Sequence, residues 1–490
     1  MSSLEALTRL IINGLPNVDG KAATEEQTKS AIAGLFGERY HSKSQYAKRV
    51  VLMSSDDNVS FAGLVHQDSP SSGPYGGMSL IWFPVAPDGD IPGSSLLTLV
   101  CGTRGLSPDE HILGRPGHIR HLRALQRYLT DKVGSCWVKH NPTDLSDPFP
   151  RIVQSSLERF DGALKRYGNH IYFSVQIPDQ FDKAKLAVSS LIDLYAWERN
   201  WIPLKAYSAE IEDFRLTLRS FLFPRVMPKD VVGLLRQRRF VILQGPPGSG
   251  KTRMASQILQ DEFAGRGFTV QFHPAVSYES FVAGISPRVD GETLHFEVKP
   301  GWLVQAIRQC GHKPFLLLID EINRADLSRV LGEAIYLLEP REISEGTPRE
   351  VRLSNVLDSG KDSVQIPPEL YILGTMNSAD RSIAIMDMAV RRRFAFVDIW
   401  PDIDVVNAQN LPLATQAFSK LQDIFTQYAT QDSFALLPGH SYFLARSAEE
   451  LSSRMKYDLL PLLNEYLMEG RLSSCETELR AYMDWLSAEI

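Results

Sequence analysis

Residues Phe240-Val241-Ile242-Leu243-Gln244 form an apolar run that passes directly into Gly245-Pro246-Pro247-Gly248-Ser249-Gly250-Lys251-Thr252. A strand running into G-x-x-x-x-G-K-[ST] leaves the backbone few options. The glycines let it curl so that its N–H groups point inward at phosphate oxygens, and a helix beginning at Lys251 adds the positive end of its dipole. Lys251 is placed to reach the outer phosphates, the Thr252 hydroxyl to take one position on Mg²⁺, and Arg253 lies in the first helical turn beside them. Residues 245–253 are therefore expected to hold a magnesium-bound nucleoside triphosphate.

From Phe240 onward apolar strands alternate with helical segments, which predicts an α/β core: a parallel sheet with helices on both faces. The expected strands are 240–243, 269–272, 315–319, 371–375 and 394–399, and after Asp402 the pattern turns helical, as a small lid would. The first two hundred residues read as an α+β region. Short β-rich runs at 49–53, 59–65, 79–85, 95–102 and 170–177 are joined by turn-rich stretches, with helical periodicity at 118–132 and 182–197. Amphipathic helices at 211–222 and 227–236 lead into the phosphate-loop strand. The expected division is 1–207, 208–401 and 402–490.

A chain of 490 residues is too large for one core. The N-terminus lacks a basic-then-apolar signal pattern, and no apolar run is long enough to cross a bilayer, so no membrane role is expected. Four scattered cysteines, with no C-x-x-C pair, argue against a disulfide framework or zinc knuckle and fit a cytoplasmic setting. Charge is uneven. Residues 1–207 carry 22 Lys+Arg against 21 Asp+Glu, leaving 30 against 37 for the remainder. Residues 104–139 hold seven basic and three acidic side chains, with His111, His118, His121 and His140 in or beside them. DNA contact by the N-terminal part would fall there, although a solvated helix face explains the same run.

The apolar strand Phe315-Leu316-Leu317-Leu318-Ile319 ends in Asp320-Glu321. Acids at the carboxyl edge of a parallel sheet stand where a phosphate-loop protein needs them. Asp320 is expected to orient Mg²⁺ and Glu321 to accept a proton from the attacking water. Asn377, at the tip of the strand 371–375, could hold that water, or could simply be a turn residue. Arg391-Arg392-Arg393 precede another buried strand, at an edge from which a guanidinium could enter a neighbouring subunit's site.

With these residues assembled, the region from 227 to about 470 resembles the AAA+ module of the McrB family, the GTP-driven subunit of McrBC modification-dependent restriction systems. The resemblance is carried by residues 245–252, by Phe272-His273-Pro274-Ala275-Val276-Ser277-Tyr278-Glu279-Ser280-Phe281 and by residues 318–326. It continues through Gly374-Thr375-Met376-Asn377-Ser378-Ala379-Asp380-Arg381, residues 391–394, Pro438-Gly439-His440-Ser441-Tyr442-Phe443 and residues 460–466. It implies a homo-hexameric ring with sites between subunits, driven by GTP or ATP with Mg²⁺. It also implies a separate McrC-like subunit that stimulates hydrolysis and brings the nuclease, and an N-terminal domain that recognises the DNA target. On the same resemblance, Asn377, Asp380 and Arg381 belong to a sensor element, Asn323 helps position the water, and Arg392 and Arg393 face the neighbour.

The base stays open. No N-K-x-D guanine reader occurs, but GTP-using McrB-like proteins lack it too, and the resemblance leans to GTP. The alternative function is a MoxR-like ATPase remodelling a protein partner; a nucleotide-gated switch fits Glu321 and the arginine run poorly. For unaided DNA cleavage, Pro178-Asp179 has no suitably spaced acid-x-Lys after it in the N-terminal region, and Glu297-Val298-Lys299 lies within the NTPase core. Cleavage is thus expected to depend on a partner chain.

Overall fold

A strand in the middle of a parallel sheet is covered on both faces, so alternate side chains along it must join two different cores. The computed structural model describes residues 2–14, 21–41, 46–52, 59–66, 76–147, 149–290, 293–353, 363–379 and 387–490. Its contacts divide the chain into two compact units, Met1–Leu222 with Thr426–Tyr428, and Phe223–Phe425 with Ala429–Ile490.

The first unit is built on a six-stranded antiparallel sheet. Its strands are β1 (Tyr46–Val51), β2 (Phe61–His66), β3 (Met78–Val85), β4 (Ser94–Cys101), β5 (Cys136–Val138) and β6 (Ile171–Gln176), in the order β1-β2-β3-β4-β6-β5. The helices Ser3–Asn13, Pro116–Lys132 and Phe181–Glu198 bury Leu7, Ile11, Leu122, Leu125, Leu191 and Tyr195 in one cluster with Leu80, Trp82 and Leu99 of the sheet. The expected boundary at 207 is corrected. The helix Ser208–Leu222 buries Ile211 and Leu218 in this same cluster, so the first unit runs to Leu222.

The second unit holds β7 (Phe240–Gly245), β8 (Gly267–Gln271), the hairpin β9 (Ala283–Asp290) and β10 (Thr293–Pro300), β11 (Phe315–Asp320), the short pair β12 (Glu350–Arg352) and β13 (Ser363–Gln365), β14 (Leu370–Asn377) and β15 (Ala395–Asp398). Five of these form one parallel sheet in the order β15-β7-β14-β11-β8. Its alternation is complete. Val241, Leu243, Leu316, Leu318 and Leu373 pack with Val231, Leu235, Ala255 and Ile258 of the helices Pro228–Arg238 and Lys251–Asp261. Phe240, Ile242, Leu317, Ile319 and Ile372 pack on the other face with Leu303, Val304 and Ala306 of the helix Trp302–Cys310. The five expected sheet strands are all present, shifted by a residue or two at their ends. The β9–β10 hairpin has no counterpart in the sequence reading.

From Ile403 the chain is helical, including Pro412–Tyr428, Leu460–Met468 and Glu476–Glu489. Apart from residues 426–428 these helices fall in the same compact unit as the sheet. Among the described residues no helix is long and apolar enough to cross a membrane.

Candidate nucleotide site

Sheet order places the site. β14 lies between β7 and β11, pairing Asn377 with Gly245 on one side and Ile319 with Gly374 on the other. The carboxyl ends of three adjacent strands thus bring together the phosphate loop, Thr375 with Asn377, and Asp320 with Glu321.

The loop has the required backbone. Gly248 (φ +78°) and Gly250 (φ +85°) are left-handed, a region side-chain-bearing residues rarely enter, and Gly250 caps the helix Lys251–Asp261. Lys251 Nζ donates to the carbonyls of Pro246 (2.7 Å) and Gly245 (3.1 Å). Burial pushes its ammonium down to about 8, against the pull of Glu321 and Asp320. Thr252 Oγ1 donates to Asp320 Oδ1 at 2.8 Å. A hydroxyl and a carboxylate in contact at the mouth of a phosphate loop are hard oxygen donors, and they fit Mg²⁺.

Thr375 joins the two acids. Its hydroxyl donates to Asp320 Oδ1 (2.5 Å) and accepts from the Glu321 amide (3.2 Å). Glu321 has φ +54°, a strained conformation for a residue with a side chain, costing about 1–3 kcal/mol. Asn377 Nδ2 donates to Glu321 Oε1 at 2.6 Å, and Asn323 Nδ2 to the Asn377 carbonyl at 3.2 Å. Two acceptor atoms in this net, Glu321 Oε2 and Asn323 Oδ1, are buried without a hydrogen bond, and Arg324 Nε stands 3.5 Å from the former. Buried polar atoms without a hydrogen bond are unusual, and both of these are acceptors. Asn377, expected to hold the attacking water, has its amide bonded to Glu321 in this structure.

The arginines separate. Arg392 is exposed, whereas Arg393 is buried, donating to the Ala389 carbonyl (2.5 Å) and standing 3.3 Å from Glu339. Arg393 is thus corrected from a neighbour-facing residue to an internal one; of the expected pair, only Arg392 is available at the surface. Asp380 and Arg381 lie outside the described residues.

The residues the sequence reading did not weigh individually lie at 439–441. Gly439 N–H donates to the Pro247 carbonyl (2.9 Å) and Ser441 N–H to that of Gly248 (3.1 Å), stapling this segment to the phosphate loop. A Cβ on Gly439 would stand 2.0 Å from the Gly248 carbonyl carbon. His440 Nδ1 accepts from the Asp402 amide (3.2 Å), which leaves the proton of the neutral ring on Nε2. That atom lies 3.3 Å from where a Gly250 Cβ would be. Burial lowers the His440 pKa despite Asp402 nearby, which keeps the ring neutral. The string Pro438–Phe443 carried a family resemblance, but nothing in its composition announced contact with a loop two hundred residues earlier.

Comparison with known proteins agrees with this geometry. Residues 240–394 match the AAA domain family of the dynein-related subfamily. The EcoKMcrB subunit of the type IV methyl-directed restriction enzyme of Escherichia coli K12 is 29% identical over 367 residues, covering 67% of this chain and 77% of its own. The chain is an AAA+ NTPase similar to the McrB subunit. Component YdiS of the type II restriction enzyme BsuMI of Bacillus subtilis 168 is 25% identical over 190 residues, 32% of this McrB-like chain and 55% of its own length.

Two outcomes follow from the loop. Gly439→Ala must displace the phosphate loop and should weaken nucleotide binding at least about tenfold, since a shift of 1.4 kcal/mol suffices, with far-UV circular dichroism unchanged; titration with a fluorescent nucleotide checks this. Because phosphate binding favours the charged ammonium and burial lowers its pKa to about 8, affinity should fall as pH rises through that value. Calorimetry in buffers of different ionisation enthalpy should then show proton uptake on binding above it, and Lys251→Met should abolish the uptake.

Proposed function

We propose that this chain is the motor subunit of a McrBC-like DNA restriction or antiviral defence complex. It splits GTP or ATP at seams between copies in a ring, and a separate McrC-like chain brings the nuclease. The observation that carries the hydrolytic part is the hydrogen-bond net Thr252–Asp320–Thr375–Glu321–Asn377 at the end of three adjacent strands. The restriction setting is supported by the two relatives, both components of restriction enzymes.

The amides of 248–252 and the Lys251 ammonium bind the phosphates and neutralise their charge. Thr252 and Asp320 would hold Mg²⁺, which when bound offsets charge developing on the phosphoryl oxygens. Asn377 fixes one Glu321 oxygen, and the other, which makes no hydrogen bond and stands 3.5 Å from Arg324 Nε, takes a proton from water as that water's oxygen bonds to the terminal phosphorus and the bond to the leaving diphosphate breaks. Asn323 Oδ1 accepts the water's second hydrogen and so aims the attack. Arg392 of one copy enters the next copy's site and stabilises the transferred phosphoryl group. The first unit recognises the DNA target.

Glu321→Gln should bind nucleotide like the parent and lose about 10²–10⁴-fold in turnover, because only the proton acceptor is removed. Arg392→Ala should be similarly slow alone, yet a mixture of the two proteins should recover activity at seams that pair an intact Glu321 with an intact Arg392. Phosphate release by each protein and by the mixture is the measurement; a mixture no faster than its parts, with assembly intact, refutes the shared site.

A further inference from the structure

The basic run 104–140 of the first unit separates by face. On the helix Pro116–Lys132, His118 and His121 are fully buried against Glu198, with Nδ1 atoms 3.3 Å and 2.6 Å from its carboxylate oxygens, and Arg115 pairs with the same carboxylate. Those groups are used up in holding the unit together. Arg123 and Arg127, one helical turn apart, are exposed instead. With Gln126 of the same helix, and with Val138, Lys139 and His140 at the end of β5, they line a concavity of about 310 Å³.

The lining is one-sided in chemistry. It holds two exposed guanidiniums, an exposed imidazole, an amide and the buried ammonium of Lys139, and no carboxylate. Gln126 is held by the Cys136 carbonyl (3.2 Å), Lys139 Nζ by the Asn169 carbonyl (2.9 Å), and Arg127 reaches the Phe221 carbonyl (3.4 Å). These bonds fix the rim without neutralising it. Asp144 and Asp147 act on Lys139 from nearby, but among the described residues no carboxylate comes within ion-pairing distance of Lys139, Arg123 or Arg127. Like charges gathered in a recess repel one another, and an anion entering it relieves that repulsion. An i,i+4 pair of arginines sets two forked donors about 5–6 Å apart at Cβ, suited to successive charges on a polyanion rather than to a single ion.

We propose that this concavity binds the phosphodiester backbone of nucleic acid, with the exposed Arg123, Arg127 and His140 on phosphates and the buried Lys139 adding its charge from beneath. The inference rests on the recognition role given above to the first unit and not on the nucleotide site. Contacts of this kind position a duplex or single strand without reading its sequence.

The test uses the full chain and fluorescein-labelled duplex DNA, followed by anisotropy at several salt concentrations. The unaltered protein should bind with an affinity that falls as salt rises. Arg123→Glu with Arg127→Glu should weaken binding at least tenfold and flatten the slope of log K against log salt by about 2, near 0.9 for each phosphate no longer neutralised. Arg123→Gln with Arg127→Gln should give a smaller loss and the same flattening. Single-stranded DNA and RNA of the same sequence, run in parallel, identify the favoured nucleic acid as the one with the largest loss. NTP turnover without nucleic acid should be unchanged in both variants, which separates this outcome from a failure of the nucleotide-site reading. Unchanged affinity and slope in the variants overturn the proposal, as does absence of binding to all three nucleic acids. Displacement of the DNA by inorganic phosphate beyond the effect of chloride at equal ionic strength also overturns it, assigning the recess to a free anion.

Discussion

The site depends on one hydroxyl between two acids. Thr375 sits on the strand between the phosphate-loop strand and the strand bearing Asp320, so its side chain touches both the Asp320 carboxylate and the backbone of Glu321. Parallel register makes this possible, because the carboxyl ends of β7, β14 and β11 arrive at the same level. Glu321 pays for its position with a left-handed backbone, and the bonds from Thr375 and Asn377 hold it there. The consequence is a carboxylate with one oxygen fixed and the other without a hydrogen bond.

Much of the second unit's architecture was legible in the sequence because strands covered on both faces write themselves as uninterrupted apolar runs. Residues 315–319 are an example, and 240–243 ending in glycines another. The β9–β10 hairpin escaped for the opposite reason. Its apolar members Ile285, Val289, Leu294 and Phe296 are exposed, so burial did not mark it, yet their alternation with polar residues on either side of Asp290-Gly291 is a hairpin signal that the sequence reading passed over. The boundary near 207 was misread because the amphipathic stripe of 208–222 shows that the helix packs on something, without saying on which side of the chain.

Within the site, local motifs were readable and long-range contacts were not. Lys251, Thr252, Asp320 and Glu321 follow from short strings whose chemistry is fixed by spacing. Arg392 and Arg393 are neighbours in sequence and indistinguishable there. Only tertiary packing against Glu339 and Ala389 buries the second and leaves the first exposed. Gly439 and Ser441 matter through backbone contact with Pro247 and Gly248, and His440 through its ring beside Gly250, a pairing set by how the chain returns after its last strand.

The most direct measurement compares steady-state phosphate release, and nucleotide affinity, in Thr375→Val and Thr375→Ser proteins. Valine keeps the shape but removes both hydrogen bonds. The account predicts near-parental affinity with turnover at least tenfold slower for valine, and turnover close to the parent for serine. Parental turnover in the valine protein would contradict it, since the two acids would then be held in place without the hydroxyl that joins them.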